Sequence, residues 1–289
     1  MKDLKGQVFL VTGGTSGVGK ATVIGLAQKG AKIVIISRDK HHCELTLEEI
    51  AQRTGNDKGE YLIADLSLQS SIKAVSEQFK KKYDNLHVLA NCMGAIFNGK
   101  QMTSEGIERT FAVNYMSHFG LTNELLDILK ASGRSRIITV TGNPFFLKNA
   151  KIDFNDIQCL EKFSGMMASG QAMFARLFFT FELAERLRSE NVTVNAFNPG
   201  VIKTKLTSES PFYLKLLASL FIPFQKDICD VTTYLSTSEG VQDISGKFFN
   251  KDRKIIPFHE TFDKSVGKRL WEYSEQLLRA TNNKSNEKG

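Results

Sequence analysis

The sequence predicts a single α/β domain in which helices cover both faces of a doubly wound, parallel sheet of seven strands. Two observations carry this prediction. Short runs rich in Val, Ile and other apolar residues alternate along the chain with longer segments of helical periodicity, and strands that alternate with helices form parallel sheets through crossover connections. In addition, neither a linker rich in Pro, Gly and Ser nor an internal repeat divides the 289 residues. We therefore expect one domain over residues 1–280.

The individual elements follow from the same patterns. Runs such as QVFLVT and KIVIIS place β-branched residues side by side, which is typical of buried strands. The predicted strands lie at 7–12, 32–37, 60–64, 87–90, 136–141, 192–197 and 246–249. The predicted helices lie near 17–28, 43–53, 68–82, 104–131 with a break, 166–189, 226–236 and 262–280. The polar tail at 281–289 has no apolar residue with which to pack, so we expect it to be disordered.

The net charge of the chain indicates which kinds of binding partner are favoured. The formal net charge of +7 favours anionic partners, such as a nucleotide, a nucleic acid or an anionic membrane surface. The only strong basic run is Lys80, Lys81 and Lys82, which ends a predicted helix, where lysines interact favourably with the helix dipole. We therefore expect no nucleic acid among the partners.

Cysteine usage and the apolar runs bear on location. The cysteines show neither metal-like nor CxxC spacing, which favours reduced thiols in a cytoplasmic protein; they are Cys43, Cys92, Cys159 and Cys229. The chain opens with charged residues and enters a strand directly, so we expect no signal peptide. The most apolar run, at 211–224, is too short to span a bilayer and contains Lys215 and Pro223. We expect it to cover an apolar ligand or to contact a membrane peripherally.

A glycine-rich loop, VTGGTSGVGKA at 11–21, connects the first predicted strand to the first predicted helix. Glycines at such a turn let the backbone approach a pyrophosphate, and the helix N-terminus supplies free N–H groups and positive potential. The second predicted strand ends in Ser37 and Arg38, where an NAD-selective site usually has a carboxylate. We therefore expect NADP(H) to be favoured over NAD(H), with Asp39 as the one residue that argues against it.

Four motifs make the chain resemble the short-chain dehydrogenase/reductase superfamily. TGGTSGVGK is similar to its TGxxxGxG loop, IADLS to its adenine-side Asp-Leu pair, FAVNYMSHF to its Asn-bearing helix and NPGVIKT to its Pro-Gly segment. Two further stretches, KIDFNDIQ and GKFFNKDRK, resemble the retinol-dehydrogenase-like branch. The resemblance runs over residues 5–250. It implies a Rossmann-type sheet of order 3-2-1-4-5-6-7, an NADP(H)-dependent oxidoreductase and a homo-oligomer.

The resemblance also implies a set of cofactor-binding residues. A loop binds the pyrophosphate, the end of the second strand binds the 2′-phosphate, and later segments contact the adenine, the ribose and the nicotinamide carboxamide. In this order the positions are Gly13, Thr15, Ser16, Gly17, Val18 and Gly19, then Ser37 and Arg38, Asp65 and Leu66, Asn91 and Gly94, and Pro199, Gly200, Val201 and Thr204. The sequence NCMG at 91–94 departs from the usual Asn-Asn-Ala-Gly, and we expect Met93 to narrow the wall of the cofactor site.

The chain departs from the family at the proton relay of Asn, Ser, Tyr and Lys. The Tyr and Lys of that relay lie four residues apart, so both face the cofactor from one helix. Here Ser169 and Met173 hold the Tyr and Lys positions, the Ser position falls on Gly142 or Asn143, and only Asn114 is retained. General acid–base help is worth roughly 10²–10⁴ in rate. We therefore expect the family's usual carbonyl chemistry to be slow or absent.

Other residues are weaker candidates for the missing proton donor. Tyr115 points roughly 100° away from Asn114 on a helix. His118 shares a face with Asn114 but is more typical of a packed core histidine, and Cys92 is more typical of a small buried hydrophobe. Tyr213 belongs to the segment 205–225, which occupies the position of the family's substrate lid, and the apolar residues there imply a hydrophobic ligand.

The sequence leaves three functions open. The first is NADP(H)-dependent hydride transfer to a hydrophobic small molecule that needs little proton help, such as an iminium, a quinone methide or an activated alkene. The second is a catalytically silent NADP(H)-binding sensor or scaffold. The third is a non-redox cyclase or isomerase in which the nucleotide is a structural element.

Overall fold

The computed structural model describes residues 4–143, 151–200, 228–257 and 263–286. Its sheet has the predicted strand order β3-β2-β1-β4-β5-β6-β7, and every neighbouring pair is parallel. The strands are β1 (Val8–Thr12), β2 (Lys32–Ser37), β3 (Glu60–Ile63), β4 (Val88–Asn91), β5 (Ser135–Val140), β6 (Val192–Phe197) and β7 (Lys247–Phe249). Because the order reverses between β1 and β4, the crevice at the carboxyl ends of these two strands is the switch point at which such sheets bind ligands.

Helices lie on both faces of the sheet, as predicted. Those in the described ranges are α1 (Gly17–Ala27), α2 (Lys40–Thr54), α3 (Gln69–Lys82), α4 (Arg109–Phe111), α5 (Ser117–Glu124), α6 (Leu126–Ala131), α7 (Gly165–Arg186), α8 (Asp230–Thr237) and α9 (Lys264–Asn286). A π-helical turn (Ala112–Met116) joins α4 to α5, and a 3₁₀ turn (Glu239–Val241) follows α8. The basic run Lys80–Lys82 forms the last turn of α3, as its position in the sequence indicated.

Most predicted helix boundaries differ from the structure by a few residues, and two differ by five or more. The helix expected from residue 104 begins at Arg109, because Met102 and Glu108 pair across a short turn that occupies the preceding residues. The tail expected to be disordered from residue 281 is helical as far as Asn286. Thr281 is buried and its hydroxyl donates to the Leu278 carbonyl, so α9 is still packed at the point where the polar composition of the tail suggested that it had ended.

The sheet separates two apolar cores. Alternate residues of a strand point to opposite faces, so Leu10 of β1 belongs to one core while Phe9 and Val11 belong to the other. The first core contains side chains of α3, α5, α7 and α9, and the second contains side chains of α1, α2 and α8. Both faces are therefore covered, which explains why the strands read as continuous apolar runs rather than as alternating ones.

Helix α9 closes the outside of the first core. The Trp271 ring lies 4.9 Å from the Phe119 ring and 6.0 Å from the Phe179 ring. The Arg186 guanidinium lies over the Trp271 ring, 4.2 Å from its centroid. The Ser274 and Tyr115 hydroxyls share a hydrogen bond of 2.9 Å. These contacts fix α9 against α5 and α7, the two helices that contribute to the candidate site.

The remaining features bear on partners and location. The four cysteines are free and buried, in agreement with the prediction of reduced thiols. Within the described ranges, no cluster of His, Cys, Asp and Glu could hold a metal ion. No helix in those ranges combines the length and the apolar character that a membrane crossing requires.

Candidate cofactor site and relay positions

The loop after β1 has a backbone conformation that favours glycine. Gly13 has a φ of +65°, in the left-handed region. A Cβ atom on Gly19 would overlap the carbonyl oxygen of Gly13, so the first turn of α1 lies directly on the loop. Ser16 is the N-cap of α1 with an extended backbone, and its side chain makes no capping hydrogen bond. The N–H groups at this helix end can therefore bind a pyrophosphate, and the loop fits a dinucleotide.

The end of β2 presents a cation rather than a carboxylate. The Ser37 hydroxyl lies 3.5 Å from that of Thr15, so it borders the glycine loop, and the Arg38 side chain is exposed beside it. The Asp39 carboxylate caps α2 instead: it accepts a hydrogen bond of 3.0 Å from the His42 N–H and lies 2.7 Å from His42 Nδ1. These bonds lower the pKa of the Asp39 carboxyl. The residue that argued against a 2′-phosphate is thus engaged by α2.

The predicted adenine and ribose residues follow β3 and β4. Asp65 accepts hydrogen bonds from the Ser67 backbone N–H (2.9 Å) and hydroxyl (2.7 Å), which fixes the turn after β3. Leu66 is buried. Asn91 is also fully buried, and its side-chain amide donates to the Thr122 hydroxyl of α5 at 3.0 Å. The contacts of these residues with a nucleotide stay predictions.

The loops after β1 and β4 touch each other at the switch point. A Cβ atom on Gly13 would lie 3.3 Å from the Cα atom of Met93. The Thr12 hydroxyl holds this contact, because it accepts hydrogen bonds from the N–H groups of Cys92 (3.0 Å) and Met93 (3.2 Å). The half-buried Met93 side chain packs against the first core, and its predicted narrowing of the cofactor wall stays a prediction.

The segment after β6 is described only in part. Gly200 has a φ of +71°, and its N–H donates to the Asn198 side chain at 2.9 Å, which turns the chain at Pro199 and Gly200. Val201, Thr204, Tyr213 and the predicted lid at 205–225 lie outside the described residues.

Helix α7 brings Ser169 and Met173 to the loop after β4 and to the end of β5. The Ser169 hydroxyl is 2% exposed and reaches the Ala95 carbonyl only at 3.4 Å. The Met173 side chain packs against the first core, and its backbone carbonyl accepts a hydrogen bond of 3.0 Å from the Thr141 hydroxyl. Thr141 directly precedes Gly142, the predicted Ser position, so the hydroxyl next to that position is already engaged.

Asn114 lies within the π-helical turn and is also satisfied internally. Its side chain accepts from the Ala95 N–H (2.8 Å) and donates to the Ala95 carbonyl (2.7 Å). The π turn is visible in the bond from the Ser117 N–H to the Ala112 carbonyl, five residues earlier. Such turns are frequent at functional sites, and here the turn aims Asn114 at the loop after β4.

The other proton-donor candidates are core residues. The Tyr115 hydroxyl bonds to Ser274, and burial raises the pKa of its phenol. His118 is buried, with Nε2 2.9 Å from the Met93 carbonyl, and burial lowers the pKa of its imidazole well below the usual value. Nε2 must therefore carry the proton that it donates to this carbonyl. Burial raises the pKa of the Cys92 thiol to about 12, so it is no nucleophile at neutral pH.

One residue of the site was missed by the sequence analysis. Arg176 is 1% exposed and lies three residues after Met173 on α7. Its guanidinium donates to the backbone carbonyls of Asn114, Val140 (3.1 Å) and Met93 (3.0 Å), and to the Asn114 side chain (3.3 Å). Burial lowers the pKa of Arg176 to about 9, which still leaves it charged at neutral pH. The available signal was an arginine inside the apolar run FARLFF, since arginine is almost never fully buried without a partner.

Comparisons with known proteins agree with this architecture. The sequence model of the short chain dehydrogenase family matches residues 7–150. Retinol dehydrogenase 12 of Mus musculus is 34% identical over 278 residues, covering 95% of this chain and 87% of that protein. Retinol dehydrogenase 13 of Mus musculus is 33% identical over 284 residues, covering 95% of this chain and 84% of that protein.

Solved structures show the same fold. An uncharacterised protein of Mycobacterium paratuberculosis superimposes with a TM-score of 0.75 at 23% identity, covering 96% of both chains. The Pseudomonas aeruginosa RhlG/NADP active-site complex gives a TM-score of 0.66 at 20% identity, covering 86% of this chain and 97% of that one. A short chain dehydrogenase of Shigella flexneri complexed with NADP gives 0.64 at 18% identity, covering 87% of this chain and 100% of that one.

Proposed function

Because the chain belongs to the short-chain dehydrogenase/reductase family, in its retinol-dehydrogenase-like branch, we propose that it binds NADP(H) and acts as an oxidoreductase without the family's Tyr–Lys relay. Its substrate would be a hydrophobic small molecule that accepts hydride with little proton help. The observation that carries the proposal is the glycine loop at the β1–β4 switch point, combined with Ser169 and Met173 at the relay positions.

Binding of a dinucleotide is supported by the geometry of the loop after β1. Gly13, Gly17 and Gly19 would hold the pyrophosphate at the N-terminus of α1, where Ser16 leaves the N–H groups uncapped. When bound, the reduced nicotinamide cofactor supplies hydride. The contribution of this chain is to fix the loops after β1 and β4 against each other through Thr12.

Preference for NADP(H) over NAD(H) is supported by the end of β2. Ser37 and Arg38 offer a hydroxyl and a guanidinium, and both groups suit a phosphate better than a ribose hydroxyl. The charge of Asp39 opposes a 2′-phosphate, but its carboxylate is directed to the N-terminus of α2 by His42, where the helix dipole partly offsets that charge. Two of the structural relatives are themselves NADP complexes.

Weak proton transfer is supported by the side chains at the relay positions. A serine hydroxyl is too weak an acid to serve as an efficient proton donor near neutral pH, and the Met173 side chain offers neither charge nor hydrogen-bond donor. The site therefore favours acceptors in which the carbon that receives hydride is already electrophilic, such as an iminium, a quinone methide or an activated alkene. A carbonyl would need a proton on its oxygen as hydride arrives.

An apolar substrate is supported by the sequence between residues 205 and 225, which lies outside the described residues. Its aromatic and aliphatic residues, Tyr213, Leu214, Leu217, Phe221 and Phe224, suit a lid over a hydrophobic ligand. The same surface would serve for peripheral membrane contact of a cytoplasmic protein. Liposome flotation of a Phe221→Glu variant separates the two roles, because only membrane contact predicts loss of flotation with retained ligand binding.

A second candidate, a catalytically silent NADP(H)-binding sensor or scaffold, is favoured by the hydrogen bonding around the relay positions. The Ser169 and Thr141 hydroxyls and the Asn114 amide are all directed at backbone groups of the protein. None of them is oriented by these bonds toward a substrate. In this role the protein would report the NADP(H) level through binding alone.

Calorimetry and absorbance measurements test the proposal together. We expect the protein to bind NADPH and to oxidise it with electrophilic alkenes, quinone methides or iminium ions, and much more slowly with apolar aldehydes. Binding without oxidation of NADPH by any acceptor would favour the silent role. Failure to bind either NADPH or NADP⁺ would contradict both, and conversion of an apolar substrate without NADPH consumption would support a non-redox cyclase or isomerase.

A further inference from the structure

A buried positive charge lies directly behind the loop after β4. Through Arg176 Nη2, Nη1 and Nε, the guanidinium joins the carbonyls of Met93 after β4, of Val140 in β5 and of Asn114 in the π turn. A Cβ atom placed on Gly94 would lie only 3.2 Å from Arg176 Nη2. The charge is therefore fixed in place by three different segments that meet at the switch point.

This charge is not neutralised by the groups that face it. Within the described ranges, no carboxylate forms an ion pair with Arg176, and its bonds are made to carbonyl and amide oxygens. The nearby His118 is neutral, because burial and the guanidinium charge both lower the pKa of its imidazole. The nearby Cys92 thiol is protonated at neutral pH. The field of the guanidinium consequently reaches the surface of the crevice.

The topology indicates which half of a dinucleotide would lie near the Arg176 guanidinium. In a doubly wound sheet, each half of the strand order binds one mononucleotide across the switch point. Ser37 and Arg38 at the end of β2 assign the 2′-phosphate and adenosine to the β1–β3 half. The nicotinamide half would then lie over the ends of β4 and β5, where Arg176 joins the loop after β4 to β5.

We propose that Arg176 selects the redox state of the cofactor, so that the protein binds NADPH more tightly than NADP⁺. The inference rests on the proposed NADP(H) site. An oxidised nicotinamide ring carries a positive charge that the reduced ring lacks, and a fixed cation nearby repels only the charged ring. For two unit charges about 9 Å apart at an effective dielectric constant of ~20 to 40, this repulsion corresponds to roughly a fivefold to twentyfold difference in affinity.

Arg176 also supplies a positive charge, which Met173 lacks. The family's lysine would place a mobile cation on the ribose side of the site, whereas Met173 places none there. Three residues further along α7, the guanidinium restores a positive charge, but its donors are occupied by backbone oxygens. It can therefore act on the cofactor only through its electrostatic field and not by hydrogen bonding to a ribose hydroxyl.

The test compares dissociation constants of NADPH, NADP⁺ and adenosine 2′,5′-bisphosphate for the native chain, Arg176→Lys and Arg176→Gln. At mildly acidic pH, which favours a protonated ammonium, lysine keeps the charge but lacks the planar guanidinium, and glutamine keeps an amide donor but lacks the charge. We expect native protein and Arg176→Lys to prefer NADPH over NADP⁺ by about fivefold or more. Arg176→Gln should bring the ratio close to unity with little change for the bisphosphate, which has no nicotinamide.

Several outcomes would overturn the inference. Equal affinity of native protein for NADPH and NADP⁺ is one, and an unchanged ratio in Arg176→Gln is another. A parallel loss of all three ligands in Arg176→Gln would show that Arg176 only supports the fold. If that variant does not fold, a salt series on native protein decides, because the preference of a buried charge persists at high salt whereas that of a surface charge is screened. Binding of none of the three ligands by native protein would instead refute the NADP(H) site.

Discussion

The Thr141 hydroxyl donates to the backbone carbonyl of Met173 at 3.0 Å, which ties the end of β5 to α7 at the position predicted for the family's lysine. A hydroxyl that could polarise a substrate oxygen is thereby directed at the helix instead. One helical turn earlier, Ser169 is directed at the Ala95 carbonyl. On the side of the crevice where the proton relay is predicted, both hydroxyls are therefore hydrogen-bonded to backbone carbonyls of the protein. On the other side, no side chain caps the helix N-terminus at the glycine loop.

The assignment of the glycine loop to pyrophosphate binding can be tested by adding a single methyl group. Gly19→Ala should abolish NADPH binding and destabilise the fold by about 1–3 kcal/mol, because its Cβ meets the backbone of Gly13, which cannot move aside. Gly170→Ala is the matched control, since a Cβ there meets nothing within 4 Å. That change should stabilise α7 by about 0.5–1 kcal/mol and leave binding intact. Native-like NADPH binding by Gly19→Ala, measured by calorimetry, would contradict the loop assignment.

The preference for NADP(H) can be tested at Arg38. A charge-assisted hydrogen bond to phosphate is worth roughly 1.5–3 kcal/mol. We therefore expect Arg38→Ala to lower the affinity ratio of NADPH to NADH by tens-fold, with little effect on NADH itself. Arg53→Ala, at the opposite end of α2, removes a surface arginine that pairs with Glu49 and should leave the ratio unchanged. Equal calorimetric affinity of the native protein for both cofactors would show that Ser37 and Arg38 do not recognise a phosphate.

The acid stability of the fold can be tested at Glu60 in β3. Partial burial acts to raise the pKa of this carboxyl, but hydrogen bonds from Lys82, Tyr83 and Lys32 outweigh it and lower the pKa to about 2. A carboxyl whose pKa is lowered by folding stabilises the folded state above its unfolded pKa, near 4.5, and this stabilisation disappears as the pH falls toward 2. Glu60→Gln should therefore lower the denaturation midpoint at pH 7 and make little difference near pH 2.

An exposed carboxylate provides the comparison for Glu60. Glu161→Gln changes a surface residue in the loop before α7 and should leave the urea midpoint unchanged at both pH values. If the Glu60→Gln difference were as large at pH 2 as at pH 7, lost packing rather than lost charge would explain it.

The sequence predicted the sheet well because its strands are buried on both faces. Such strands read as continuous apolar runs, as in KIVIIS for β2. The glycine loop was equally readable, since a strand, a turn and a helix follow one another within 11–21. The start of α4 was not predicted, because the residues before Arg109 have helical composition but pair as a short turn between Met102 and Glu108.

Contacts between distant segments could not be read from local patterns. Local patterns do not predict a role for Arg176, because the three carbonyls that accept its hydrogen bonds lie 36 to 83 residues away in sequence. The sequence alone makes Asp39 an argument against NADP(H), because its bond to His42 depends on where α2 begins. Composition alone suggested disorder from residue 281, but α9 continues to Asn286, and the buried Thr281 shows that the helix is still packed at that residue.

The proposed loss of the Tyr–Lys relay is tested most directly by restoring both residues. NADPH oxidation with apolar aldehydes should be measured for native protein, for Ser169→Tyr with Met173→Lys, and for these two combined with Gly142→Ser. If the relay is absent but the cofactor site is intact, the native protein is nearly silent, the double variant gains activity and the triple variant gains more. The restored lysine supplies a charge and the restored tyrosine a proton path. A native protein that reduces these aldehydes faster than the double variant would contradict the account, because Ser169 and Met173 would then belong to a working chemistry of their own.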